Sequence, residues 1–144
     1  MALDNPRTKS TRERDRDPDA KIGVTLPIGH GREGFFRQSN TLLQQTISNL
    51  KNLLLTVKGE RVAQPTFGSN IYNILFDNYT TEFDSQIEST IKESVATWLP
   101  HVLINNIIID SQPDDNMVRI SVVFSIVTDP NATESLTLSL RRST

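Results

Sequence analysis

Glu60 beside Arg61 is the pair that most invites a reaction. Hydrolysis of a sugar link commonly uses two carboxylates about 5–10 Å apart, one of them held protonated. A cation one residue away favours the ionised carboxylate, the wrong direction for a general acid. Glu60 and Arg61 are therefore read as a structural ion pair. His30 and His101 lie far apart in sequence, and neither has a second ligand at metal-binding spacing. The Gly29-His30-Gly31-Arg32 stretch is loop glycine and not a phosphate cradle. No Gly-x-Ser-x-Gly turn or Ser/His/Asp set can be assembled, and with zero cysteines there are no disulfides or thiolate metal sites. The sequence predicts no enzyme, no catalytic residue, no cofactor and no metal.

The segment that holds Glu60 and Arg61 is more informative than the pair itself. Leu43, Ile47, Leu50 and Leu54 recur at i, i+4, i+7 and i+11, so they share one face of a helix spanning residues 41–57. Leu42, Leu53 and Leu55 widen that stripe beyond the needs of a small domain. Thr41 and Gln44 have capping-box spacing, and Gly59 after Lys58 is a helix stop. Pro65 then fixes one dihedral, and Gly68-Ser69 can turn the chain into a second short helix over residues 71–76. Together these make a rigid elbow.

Beyond it, Phe83, Ile87, Ile91, Val95 and Trp98 keep 3–4 spacing in a third helix, with Thr81 and Asp84 as its cap and Pro100 as its end. Three strands follow. Val102 to Asp110 is nearly continuous in apolar character, interrupted by Asn105 and Asn106. Val118, Ile120, Val122, Phe124 and Ile126 alternate with more polar residues, as do Leu136, Leu138 and Leu140. Turns are expected at residues 112–116 and 128–131. The predicted class is α+β: an N-terminal arm, a long helix, and two further helices packed on a three-stranded antiparallel sheet.

The 144 residues suit one domain, here residues 38–144, preceded by an extended arm over residues 1–37. The arm carries eight basic and six acidic side chains, too many to bury unaided. It reads either as a solvated tail in the isolated chain or as an arm that orders against a neighbour or its own domain, with Ile22, Val24, Leu26 and Ile28 as alternating anchors. Arg12, Arg14 and Arg16 are offset by Asp15, Asp17 and Asp19, and the net charge is −2, so nucleic acid is not an expected partner. No apolar run approaches 18 residues, so no membrane span is expected.

The Lys58-Gly59-Glu60-Arg61 run after the leucine-rich helix, the Gly-x-Arg-x-x-x-Pro-x-Phe-Gly spacing through Pro65, Phe67 and Gly68, and Leu75-Phe76 resemble the baseplate-wedge family of contractile phage tails. Related subunits occur in type VI secretion baseplates and other contractile injection machines. The likeness runs from about Ser39 to the C-terminus. It implies a virion structural protein of the tail baseplate, assembled in the host cytoplasm. Its partners would be other baseplate wedge proteins and the tail sheath protein, with tube or hub proteins as further candidates. The resemblance implies that the first helix bundles with wedge subunits through Leu42, Leu43, Ile47, Leu50, Leu53 and Leu54. A charge at Leu50 is then expected to leave the domain soluble and abolish co-assembly. It also implies that the sheet offers an edge to initiate the sheath, with Thr137, Ser139 and Arg141 facing away from the core. Relatives commonly carry Trp-Glu-Pro-Arg after the third helix; here the residues are Trp98, Leu99, Pro100 and His101, so the ionic contact is lost and Leu99 is expected to pack in its place. Two alternatives stand beside this reading: a tail-associated, lysozyme-like murein hydrolase, and the equivalent subunit of a bacterial injection system.

Overall fold

A computed structural model of the chain describes residues 21–31, 35–76, 82–112 and 117–141. The chain divides into two compact units, Met1–Ser48 and Asn49–Thr144. Part of the expected arm lies outside the described residues, as do Thr81 and the turn at residues 113–116.

Within the described part of the first unit, β1 (Gly23–Val24) pairs antiparallel with β2 (Gln38–Ser39) in a short ribbon. Extended backbone at β1 falls inside the alternating run from Ile22 to Ile28, but its pairing with β2 was not foreseen, because Gln38 and Ser39 alone give no readable alternation. Ser39 Oγ donates to Gln45 Oε1 at 2.6 Å, and Leu26 N–H donates to Ser48 Oγ at 3.2 Å. These bonds hold the ribbon to the start of α1 (Leu42–Leu55). Gly23 allows the approach, since a Cβ there would come within 2.2 Å of Gln45 Oε1. The start of α1 is capped as its sequence foretells. Gln44 N–H donates to Thr41 Oγ1 at 3.2 Å, while the Gln44 side chain accepts from Asn40 N–H at 3.4 Å. The helix stops at Leu55, two residues short of expectation. Thr56 turns its hydroxyl back to Asn52 O at 2.6 Å, and Val57 leaves the helix to bridge Ser69.

The second unit contains the core. Leu50, Leu53 and Leu54 of α1, Ile71 and Leu75 of α2 (Ile71–Phe76), and Phe83, Ile87, Ile91 and Val95 of α3 (Phe83–Trp98) are all buried. Asp84 lies in the first turn of α3, but the N-cap residue is Glu82 and makes no side-chain cap bond. The sheet has the order β3 (Val102–Gln112), β4 (Met117–Ile126), β5 (Asp129–Arg141), antiparallel throughout. One face carries the buried Val118, Ile120, Val122 and Phe124 of β4 beside Leu136, Leu138 and Leu140 of β5. The expected α+β class is the observed one.

Two irregularities depart from simple alternation. Asn105 is a bulge, skipped in the register between Ile104 and Asn106, and its Oδ1 accepts from Ser125 Oγ at 3.4 Å. The extra residue puts Ile104 and Ile107 on one face and leaves Ile108 on the other, exposed. The last turn is tighter than predicted. It occupies Val127 and Thr128, so Asp129 and Pro130 begin β5 instead of turning the chain. Proline is tolerated there because β5 is an edge strand and Pro130, Asn131 and Ala132 fall in a register shift between Asp129, opposite Ile126, and Thr133, opposite Ser125, so no ladder donor is lost.

Candidate assembly sites

The elbow between α1 and α2 is built from backbone bonds and two glycines. Gly59 N–H donates to Pro65 O at 2.7 Å, Ser69 N–H to Thr56 O at 2.9 Å, and Ser69 Oγ to Leu54 O at 2.7 Å. Gly59 (φ 94°) and Gly68 (φ 122°) take conformations that L side chains rarely adopt. At Gly68 the restriction is also steric, because a Cβ would sit 2.4 Å from Thr56 O.

The expected Glu60–Arg61 ion pair is replaced by separate partners. The exposed Glu60 carboxylate accepts from Val57 N–H at 3.2 Å. Arg61 Nη2 donates to Asn52 Oδ1 at 3.0 Å, and its guanidinium lies 4.1 Å from the centre of the Phe67 ring. Phe67 in turn meets Trp98 edge to face, with centroids 5.2 Å apart at 66°. Cation–π and edge-to-face contacts each contribute about 0.5–1.5 kcal/mol at such sites. The chain Asn52–Arg61–Phe67–Trp98 thus ties the elbow to the ends of both long helices. Sequence reasoning found Arg61, Phe67 and Trp98 but neither Asn52 nor the connection, since arginine-to-ring contacts leave no periodic signal. Pro65 is exposed on this loop.

At the end of α3, Trp98 is half-buried, while Pro100 and His101 are exposed. Leu99 is buried, and its N–H donates to Val95 O at 2.8 Å. Leucine here therefore packs into its own domain and offers little apolar surface to a neighbour.

On α1, the expected interface residues fall into two groups. Leu50, Leu53 and Leu54 are 0% exposed, so the domain's own core uses them. The expectation that a charge at Leu50 would spare the fold does not survive this burial. Leu42, Leu43 and Ile47 are half-buried and keep some open surface.

The open side of β5 can be assigned by parity. Residues along an antiparallel ladder alternately turn both backbone groups toward one neighbour and then the other. Val127 N–H donates to His101 O at 3.0 Å, whereas Val102 N–H turns away to Leu99 O at 2.9 Å. With Val102 opposite Ile126, even-numbered β4 residues from Phe124 to Val118 direct their backbone groups at β5. Their partners are Glu134, Leu136, Leu138 and Leu140. The N–H and C=O groups of Ser135, Thr137 and Ser139 therefore line the edge that no other described strand pairs with. The side chains of Thr137, Ser139 and Arg141 are exposed, and Ser121 and Thr137 hydroxyls lie 3.2 Å apart across the strands.

Among the described residues no cluster of three His, Asp or Glu side chains could hold a metal ion. No described helix is long and apolar enough to cross a membrane.

Comparison with known proteins agrees with this layout. Residues 41–131 match the family model described as baseplate wedge protein gp25. The chain is 29% identical over 132 residues to baseplate wedge protein gp25 of Enterobacteria phage T4, covering 90% of this chain and 91% of that protein. Its fold is similar to a candidate tail lysozyme from Geobacter sulfurreducens (TM-score 0.61, 20% identity, 72% of this chain and 95% of that one). It is also similar to a chain of the anti-feeding prophage baseplate (TM-score 0.55, 16% identity, 84% of this chain and 85% of that one). With the matched region spanning the elbow, α2, α3, β3 and β4, the chain belongs to the gp25 family of baseplate wedge proteins.

Proposed function

We propose that this chain is a non-enzymatic structural subunit of a contractile-tail baseplate wedge, and that its β5 edge starts the tail sheath. The observation that carries the sheath role is the open backbone of Ser135, Thr137 and Ser139 beside a strand anchored by Leu136, Leu138 and Leu140. Unpaired N–H and C=O groups on an ordered edge template strand addition. In this reading a strand from the first sheath ring pairs there, while the partly open Leu42, Leu43 and Ile47 of α1 meet other wedge subunits. Tube or hub proteins are further candidate neighbours, and assembly takes place in the host cytoplasm before the baseplate enters the particle. A cryo-EM map of the particle tests the assignment. Density for this chain at the baseplate, with a foreign strand beside β5, is the expected result; an open β5 edge in a sheathed particle contradicts it.

A hydrolase reading is favoured by one observation, the likeness to a candidate tail lysozyme. Against it, Glu60 is exposed and engaged with the Val57 N–H. The purified chain is expected to leave peptidoglycan intact; clearing that is lost in Glu60→Gln would establish the hydrolase instead. Genes for sheath and tube beside this one, with or without capsid genes, separate a phage particle from a bacterial injection system.

A further inference from the structure

The three-stranded sheet has two edges, and they are finished differently. β5 carries a proline near its start, exposed charges at Glu134 and Arg141, and core-facing leucines that are buried. β3 has none of these devices. From Val102 to Ser111 it contains no proline or lysine, and Asp110 is its single charge. Its core-facing Ile104, Ile107 and Ile109 are only half-buried, although Phe124, Val122 and Ile120 opposite them are 0% exposed. On the other face Leu103 is 43% exposed and Ile108 53%. Among the described residues β3 pairs with β4 alone. Edges are ordinarily blunted by charge, proline or shortness, so a long edge that is apolar on both faces calls for a strand beside it.

The parity that opens Thr137 on β5 also fixes the free side of β3. Odd-numbered β4 residues turn toward β3, so their partners Asn106, Ile108 and Asp110 direct their backbone groups at β4. The N–H and C=O groups of Ile107, Ile109 and Ser111 therefore face outward. Two copies of this edge fit each other antiparallel about a two-fold axis at Ile108. Ile107 of one copy and Ile109 of the other then exchange both backbone hydrogen bonds, on either side of the axis. Ile108 meets Ile108 as the non-hydrogen-bonded pair, where side chains come closest. Asp110 lies opposite Asn106, a carboxylate facing an amide donor. Neighbouring registers lose this match. An axis at Asp110 sets two carboxylates face to face, and an axis at Ile109 sets Ile108 opposite Asp110.

We infer that the free chain pairs with a second copy of itself through β3, antiparallel about a two-fold axis at Ile108, so that two three-stranded sheets join into one. The edge requires a strand that is apolar on both faces and sets an amide opposite Asp110, and β3 itself supplies that pattern. The pairing closes on itself, so it covers the bare edge without templating open-ended strand addition. Both β5 edges remain at the outer ends of the joined sheet, and the inference is therefore independent of the sheath role.

The test is the mass of the full chain in solution, by sedimentation equilibrium. Wild type should be a dimer in the micromolar range. Ile108→Lys places two ammonium groups in the closest pair and should raise the dissociation constant about tenfold or more. Because Ile108 is exposed, that variant should keep the wild-type circular dichroism spectrum. The register is read with single cysteines, since the chain has none of its own. Non-hydrogen-bonded partners have Cα atoms about 4.5 Å apart, within disulfide reach. Ile108→Cys should therefore oxidise to a covalent dimer. Leu103→Cys is also exposed but lies roughly 30 Å from its counterpart in this register, and should not crosslink. A monomeric wild type, a dimer indifferent to Ile108→Lys, or a dimer that Ile108→Cys does not crosslink overturns the inference. A dimer broken by Thr137→Pro also overturns it, and moves the contact to β5. If wild type is monomeric and Ile108→Lys stops it from joining co-expressed wedge subunits, the β3 edge belongs to one of them and not to a second copy.

Discussion

Gly68 is the residue where the elbow has least freedom. Its φ of 122° and the Thr56 carbonyl 2.4 Å from any added Cβ act together, so Gly68→Ala should lose about 3 kcal/mol or more. Gly59 has a φ of 94° but open space around it, and Gly59→Ala should lose only about 1–2 kcal/mol. Urea unfolding of the two variants checks the order; equal losses would show that sterics at Gly68 are relieved by movement of the loop. Ser94 behaves in the opposite sense. Its hydroxyl is buried in α3 with no hydrogen-bond partner among the described residues. Ser94→Ala removes a desolvated polar group and should raise stability by about 1 kcal/mol, read as a higher urea midpoint. The elbow's glycines and proline were legible because punctuating residues have few uses. The partners of Glu60 and Arg61 were not, since adjacency in sequence suggested a pairing that the turn separates. Asn52 reaches Arg61 from just under one turn before the helix end, and no local pattern announces it.

At the level of elements, α1 carries fully buried and half-buried apolar residues along one stripe. They were easy to find from periodicity, but periodicity cannot divide the core residues from those that keep open surface. Burial makes the division. Leu50→Asp places a charge at a fully buried position and should cost more than about 4 kcal/mol, enough to leave the protein insoluble or unfolded. Ile47→Asp, at a half-buried position, should fold and weaken co-purification with wedge subunits. A soluble, natively folded Leu50→Asp would contradict the core described here, and full co-assembly of Ile47→Asp would remove α1 from the interface. The strands were legible for the same reason as the helices: alternation survives wherever one face is buried. Where a bulge inserts Asn105, or Pro130 enters an edge strand inside a register shift, the paired residues on either side outweigh local turn chemistry. The alternation of Ile22 to Ile28 announced an extended segment, but its pairing with Gln38 and Ser39 was not legible, because contacts with Gln45 and Ser48 fix it and not a pattern in β2.

At the scale of the whole molecule, the proposed sheath role turns on which backbone groups of β5 face away from β4, and parity decides which proline would block the edge without breaking the fold. Thr137→Pro removes an N–H that faces the open side, so the domain should keep its fold with a loss of about 1–2 kcal/mol. Leu138→Pro removes a donor that bonds to Ile120 and disturbs a buried side chain, so it should unfold the sheet or cost at least about 3 kcal/mol. The most direct measurement uses baseplates assembled with Thr137→Pro, the variant first shown to be folded and incorporated. Sheath subunits and tube are added, and sheathed tails are counted by electron microscopy against wild-type baseplates. Tubes are expected to grow while sheath fails to polymerise on the variant. Sheath growth at the wild-type level on those baseplates would contradict it and exclude the open side of β5 as the starting edge.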